Sequence, residues 1–245
     1  MAEPSDRRTS SPQTLVFIHG SGDSARVWDG VIERLTEYSC VALDLPGHGT
    51  LVDRSGPPDM SVSDYVDAVR TELMRRELTG ACVIGHSLGS AIALRLALEY
   101  PSLASALVLV GAGARLRVLP ALLEEARNQP ERTRARLVEL GTADMNAALR
   151  QQYIASSPPC AEGVLYRDLA ACDAFDVMGE LARIAQPALV VVGDSDRLTP
   201  PKYAEYLRDH LPAARLVVIK DAGHYLALEQ PEQLAAAMRS WLSTL

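Results

Sequence analysis

A run of apolar residues, Ala81-Cys82-Val83-Ile84, enters Gly85-His86-Ser87-Leu88-Gly89 and leaves directly into Ser90-Ala91-Ile92-Ala93-Leu94. The first part reads as a buried strand and the stretch from Ser87 to Tyr100 as a helix stopped by Pro101, with almost no room for a loop between them. A strand that runs straight into a helix forces a strained turn, and glycines either side of Ser87 remove the Cβ atoms that would strike neighbouring backbone. Packing accounts for the glycines. It leaves the serine at the centre arbitrary, apart from a role as a helix N-cap.

The strand-then-helix pattern recurs along the chain. Further continuous apolar runs lie at 14–20, 39–49, 105–111, 187–193 and 214–220, and helical spacing marks 27–36, 62–78, about 200–210 and 231–244. Ser61 is placed to cap the helix over 62–78, and Gly80 follows its end. Strands that are apolar throughout, rather than alternating, belong to a parallel sheet covered by helices on both faces. Between the fourth and fifth runs, residues 112–186 carry helical periodicity without a strand signal, which predicts two to four amphipathic helices laid over one edge of the sheet as a cap. The expected organisation is a flexible segment over 1–13, an α/β core over 14–111 and 187–245, and the inserted helical cap over 112–186. A chain of 245 residues, 48% hydrophobic, can bury one large core of this kind.

Charge and cysteine usage narrow the function. A net charge of -7 gives no positive field to gather phosphates, so nucleic acid is not an expected partner. Cys40, Cys82, Cys160 and Cys172 show no C-x-x-C spacing, and neither a zinc site nor a disulfide framework is indicated. No metal or organic cofactor is expected. The first 13 residues lack an apolar signal core and no stretch is long enough for a membrane span, so a cytoplasmic protein is expected, its oligomeric state left open.

In an open parallel sheet, ligands collect where the C-terminal ends of the strands meet their loops. Polar residues cluster just there: His19-Gly20-Ser21-Gly22 after the first run, Ser87 after the third, Asp194 and Asp196 after the fifth, His224 after the sixth. A serine hydroxyl becomes a nucleophile only with a base, and the base needs an orienting acid. His224 is the candidate base, since His19 and His86 read as hydrogen-bonded structural residues, His48 as part of a Pro-Gly-His-Gly turn and His210 as a helix-end surface residue. Asp196 is preferred over Asp194 as the acid because its extra residues let the chain turn towards His224; Asp221 and Asp176 stay as outside candidates. Oxyanion donors are expected from the backbone N–H of Leu88, at the positive end of its helix, and of Ser21. Trp28 and Leu198 are candidate substrate-pocket walls.

The stretches HGSG, DLPGHG, GHSLGS, VVGDSDRLTPP and AGHYLALEQPEQL, in that order, resemble the α/β-hydrolase superfamily, and within it small bacterial members with a helical lid. The resemblance covers 14–245 and implies the same roles for Ser87, Asp196, His224, Ser21 and Leu88. Most members begin with an antiparallel hairpin, for which the 13 residues before Thr14 are too few; a mostly parallel sheet of six strands is expected instead. Serine at the turn argues against dehalogenases and epoxide hydrolases, which resemble this fold with Asp there, and Tyr225 replaces the lysine that follows the histidine in hydroxynitrile lyases. The expected activity is hydrolysis of a small to medium carboxylic ester or lactone through an acyl-enzyme. The alternatives are carbon-carbon bond hydrolysis or a menaquinone-pathway type of elimination with the same triad, and a receptor-like protein with little turnover.

Overall fold

Six strands form one sheet: β1 (Thr14–Ile18), β2 (Ser39–Leu43), β3 (Ala81–His86), β4 (Ala104–Val110), β5 (Ala188–Gly193) and β6 (Ala214–Ile219). The computed structural model describes residues 14–143, 147–156 and 160–245; the segment expected to be flexible over 1–13 lies outside the described residues. The strand order is β2-β1-β3-β4-β5-β6 and every pairing is parallel. Helices α1 (Asp29–Ile32), α2 (Val62–Arg75), α3 (Leu88–Glu99), α8 (Pro201–His210), α9 (Leu226–Glu229) and α10 (Pro231–Leu242) flank the sheet, while α4 (Pro120–Asn128), α5 (Pro130–Gly141), α6 (Ala147–Ser156) and α7 (Val164–Ala174) lie between β4 and β5. No helix among the described residues is long and apolar enough to cross a membrane.

Two apolar clusters, one drawing on α2, α3 and α8 and the other on α1, α9 and α10, explain the uninterrupted apolar strands. Val16, Ile18 and Val83 belong to the first, Leu15, Phe17, Cys82 and Ile84 to the second, so successive residues of one strand serve opposite faces. A smaller cluster of Ala126, Leu137, Leu165 and Leu169 joins α4, α5 and α7, with Leu198 packed against it.

Strand order places the site. β1 lies between β2 and β3, so the chain's direction of winding reverses at β1, and ligands in such sheets bind at that switch point. Ile18 is in register with Gly85, which sets the loop after β1 beside the turn after β3. β5 pairs with β6 up to Gly193 and Ile219, and sets the loops that carry Asp196 and His224 side by side.

Local boundaries differ from the sequence reading in three places. The helix expected over 27–36 is a 3-10 turn (Ala25–Trp28) followed by the single α turn of α1, both burying Val27, Trp28 and Val31. The apolar run over 39–49 supplies a strand only to Leu43, because the Pro-Gly turn follows. α2 starts, as expected, at a Ser61 capping box closed by Asp64, yet ends at Arg75. Glu77 adopts a left-handed φ of 55° and the Leu78 N–H reaches the Leu73 carbonyl, an end that the apolar spacing does not reveal.

At the turn after β3, backbone meets backbone. A Cβ on Gly85 would lie 2.1 Å from the Gly89 carbonyl oxygen, and one on Gly89 would lie 2.3 Å from the Ile18 carbonyl oxygen. Neither neighbour can yield without moving a strand or a helix. Gly89→Ala is therefore expected to destabilise the fold by about 3 kcal/mol or more, at the upper end of overpacking costs. Gly179→Ala, where an added Cβ meets nothing within 4 Å, is the control and should shift the denaturant midpoint little.

Candidate active site

Ser87 does not belong to the helix it precedes. α3 begins at Leu88, and Ser87 sits at φ 52°, ψ -113°, a conformation that costs a non-glycine residue roughly 1–3 kcal/mol. Its N–H bonds the Val110 carbonyl on β4, its carbonyl accepts from Ser90 and Ala91, and its side chain makes no capping bond. The hydroxyl is thus not spent on the helix end, which removes the N-cap explanation for a serine here. Leu88, as the first residue of α3, has an N–H with no partner inside the helix.

Ser87 and His224 line one cavity of about 360 Å³, together with Gly20, Ser21 and Leu198. His224 follows β6 and is held from both sides. Its Nδ1 lies 2.9 Å from Asp196 Oδ2, and its backbone N–H donates to the Gly141 carbonyl at the end of α5. Asp196, 4% exposed, also accepts from the Leu198 N–H at 2.9 Å, the Thr199 N–H at 2.8 Å and the Thr199 hydroxyl at 2.8 Å. Burial pushes its carboxyl up, but the His224 ring and these donors outweigh burial and hold it below the usual carboxylate value. A carboxylate on Nδ1 fixes the tautomer and leaves Nε2 as the basic nitrogen. Gly111 makes room for the ring, since a Cβ there would come within 2.9 Å of His224 Nδ1. Asp194 is exposed and accepts from Ser195; Asp221 is exposed, and Asp176 pairs with Arg115.

The alpha/beta hydrolase family model matches residues 15–237. The chain belongs to the alpha/beta hydrolase family. Among its relatives are the pimeloyl-[acyl-carrier protein] methyl ester esterase of Nitrosomonas europaea, 32% identical over 93% of this chain and 95% of that protein, and the enzyme of the same name from Neisseria meningitidis, 31% identical over 96% of each. A solved thermophilic esterase superposes with a TM-score of 0.79 at 33% identity, over 94% of this chain and 89% of the other.

In this alpha/beta hydrolase three further histidines, His86, His19 and His210, have different surroundings. His86 donates from Nε2 to the His224 carbonyl at 2.9 Å, and burial together with the neighbouring His224 pushes its pKa down to about 3, so it is neutral. His19 donates from Nδ1 to the Gly20 carbonyl and accepts the Leu45 N–H at Nε2; burial and the neighbouring His48 bring it to about 3 as well. Both rings are buried and hydrogen-bonded to backbone carbonyls, and His86 also lines the cavity. His210 is exposed and stacks on Tyr206.

Trp28 is a correction. It is fully buried in the second apolar cluster, tilted against Phe17 and edge-on to His86, and it does not line the cavity. The lone aromatic of this short turn is core, not pocket wall. The apolar wall comes instead from Leu116, Val118, Leu119, Leu122, Leu137 and Leu169, none of which carries a sequence motif.

Sequence reasoning also passed over Asp23, two residues beyond Ser21. It lines the cavity at 4% exposure, and burial raises its carboxyl to about 6 against the pull of hydrogen bonds from Tyr153 and the Ser24 N–H. An acid whose pKa is raised in the folded state adds stability below its unfolded value of about 4 and loses it as pH rises through its folded value. Asp23→Asn is accordingly expected to raise the thermal midpoint at pH 8, by roughly 5 °C, and to change it little at pH 4. Differential scanning fluorimetry across that range checks the sign.

Proposed function

We propose that the protein is a serine ester hydrolase in which Ser87 is the nucleophile, His224 the general base, Asp196 the carboxylate that orients it, and the Ser21 and Leu88 amides the oxyanion donors. The observation that carries this reading is the pair on one cavity: a strained serine whose hydroxyl is not used in capping, and a histidine whose Nδ1 is bonded to a buried aspartate. His224 Nε2 takes the Ser87 proton as Oγ attacks the ester carbonyl. The two amides hold the oxygen that becomes negative, and Asp196 stabilises the imidazolium. His224 then returns the proton to the departing alcohol. A water deprotonated by the same nitrogen attacks the acyl-enzyme and releases the acid.

The segment 112–186 acts in this reading as a cap that supplies the acyl pocket. Its leucines and a volume of about 360 Å³ suit an apolar acyl group of small to medium size. A lactone, an internal ester, meets the same groups in the same order.

A narrower reading concerns the mouth. Arg117, Arg197 and Lys202 are exposed around the lining in a chain of net charge -7, a local excess of cations that favours a substrate with an anionic group beyond its ester. The substrate in the name of the Nitrosomonas and Neisseria relatives, a pimeloyl-[acyl-carrier protein] methyl ester, is the first compound to try.

A series of p-nitrophenyl esters from acetyl to decanoyl tests the activity. Ser87→Ala and His224→Gln should each lower kcat by about 10³-fold or more, and Asp196→Asn by about 10²- to 10⁴-fold. Ligand binding with wild-type turnover no higher than that of Ser87→Ala would favour a receptor instead. For the mouth, Arg197→Gln with Lys202→Gln should raise KM about tenfold for an anionic ester, in a salt-dependent way, and leave a neutral ester unchanged. Equal effects on both esters would remove the anionic preference.

A further inference from the structure

Outside the groups assigned above, a buried polar cluster centres on Asp168 of α7. Oδ2 of Asp168 accepts the Gly22 N–H at 2.9 Å and faces His48 Nε2 at 2.9 Å, and its Oδ1 accepts the Tyr65 hydroxyl. The Nδ1 of His48 lies 3.2 Å from the Pro46 carbonyl, so both ring nitrogens face oxygen acceptors. Burial opposes charge on both, yet their mutual attraction together with the surrounding hydrogen bonds outweighs it, raising His48 and lowering Asp168. Arg167, next in sequence, binds the Tyr65 hydroxyl at 2.8 Å and the Pro46 carbonyl at 2.6 Å. A carboxylate with this many donors is firmly placed, and removing it would leave the Gly22 N–H, the Tyr65 hydroxyl and the facing His48 ring without their buried partner.

The same helix grips the loop after β1. Gly22 takes a φ of 66°, and a Cβ on it would lie 2.8 Å from Leu165 Cδ1. Cys172 Sγ lies 3.7 Å from Ser21 Oγ. Leu165, Asp168 and Cys172 recur at spacings of three and four residues, so they present one face of α7 to Ser21 and Gly22. The Gly22 N–H belongs to the Ser21–Gly22 peptide, the plane next to the Gly20–Ser21 peptide that carries the Ser21 N–H, and that plane is pinned by a side chain from the helical segment rather than by the sheet. An oxyanion donor acts only when it sits about 2.7–3.1 Å from the developing charge.

We propose that Asp168 is a positioning residue for ester hydrolysis: through the Gly22 N–H it fixes the Ser21–Gly22 peptide and, through the backbone at Ser21, the direction of the adjoining Ser21 N–H, and so couples docking of the cap to assembly of the oxyanion site. This rests on the reading of Ser21 as an oxyanion donor. Asp168 does not touch substrate. It acts by holding the loop, and His48 and Tyr65 act by holding Asp168.

The test uses the full chain and a neutral short-chain ester. Asp168→Asn should lower kcat by about 10- to 100-fold, the cost of a misplaced group, while KM moves less than threefold. The inhibition constant of an alkyl boronic acid, which forms a tetrahedral adduct on a serine, should rise by the same factor as kcat falls, with binding of the product carboxylate unchanged. A variant that loses thermal stability but keeps kcat and boronic acid affinity within twofold of wild type, per folded site, overturns the proposal. If Asp168→Asn does not fold, Tyr65→Phe decides. It should weaken boronic acid binding about three- to tenfold at unchanged KM, and unchanged boronic acid binding there is again fatal. Full activity in Ser87→Ala would instead count against the nucleophile, so the two failures read differently.

Discussion

Backbone packed on backbone at Gly85 and Gly89 is the constraint from which the rest of the structure follows. With no side chain between them, the end of β3 and the start of α3 close on one another, and α3 closes on the carbonyl of Ile18 in β1. Such an approach leaves the residue between the glycines no relaxed conformation, and Ser87 takes a left-handed φ. The strain is offset by the packing of β1, β3 and α3, whose residues Ile18, Val83, Ala91 and Ile92 lie in one apolar cluster. The parallel order then brings the loops of β1, β5 and β6 to the same sheet edge, and the histidine and carboxylates arrive there as a consequence of topology.

The helical segment between β4 and β5 is bonded to two of those loops. Through Asp168 it holds Gly22 after β1, and through the Gly141 carbonyl it holds the His224 N–H after β6. Glu229 adds a third link: its carboxylate accepts from Gly223 and Tyr225 on either side of His224 and from Ala143 just beyond α5. The donor loop and the base loop therefore each take part of their geometry from residues remote in sequence. In the proposed mechanism the cap does more than shape an acyl pocket, since the placement of both loops depends on how it sits.

The Ser87 turn was legible because its cause is local: the glycines, the strand before it and the helix after it are contiguous. His224 and Asp196 were expected from the parallel sheet and from turn length, and the two side chains lie 2.9 Å apart, whereas Asp194, two residues earlier, is exposed. Trp28 was misplaced because an aromatic in the short helical turns after β1 carries no mark that separates core from pocket. The His48–Asp168 and Tyr65–Asp168 bonds span 120 and 103 residues, and no periodicity encodes such a pair. His48 was read as a turn residue, which is true of its backbone and silent about its ring. Four helices lie between β4 and β5 among the described residues, within the two to four that the spacing implied, but their leucines gave no sign of which would face the cavity.

The proposed mechanism depends on where a tetrahedral oxygen sits when bonded to Ser87. A crystal structure of the protein treated with an ester-mimicking phosphonate measures this directly. The account predicts a covalent bond to Ser87 Oγ, with the phosphoryl oxygen about 2.7–3.1 Å from both the Ser21 and Leu88 nitrogens and His224 Nε2 facing the leaving-group side. An adduct on another residue, or a phosphoryl oxygen turned away from those two amides, would contradict it.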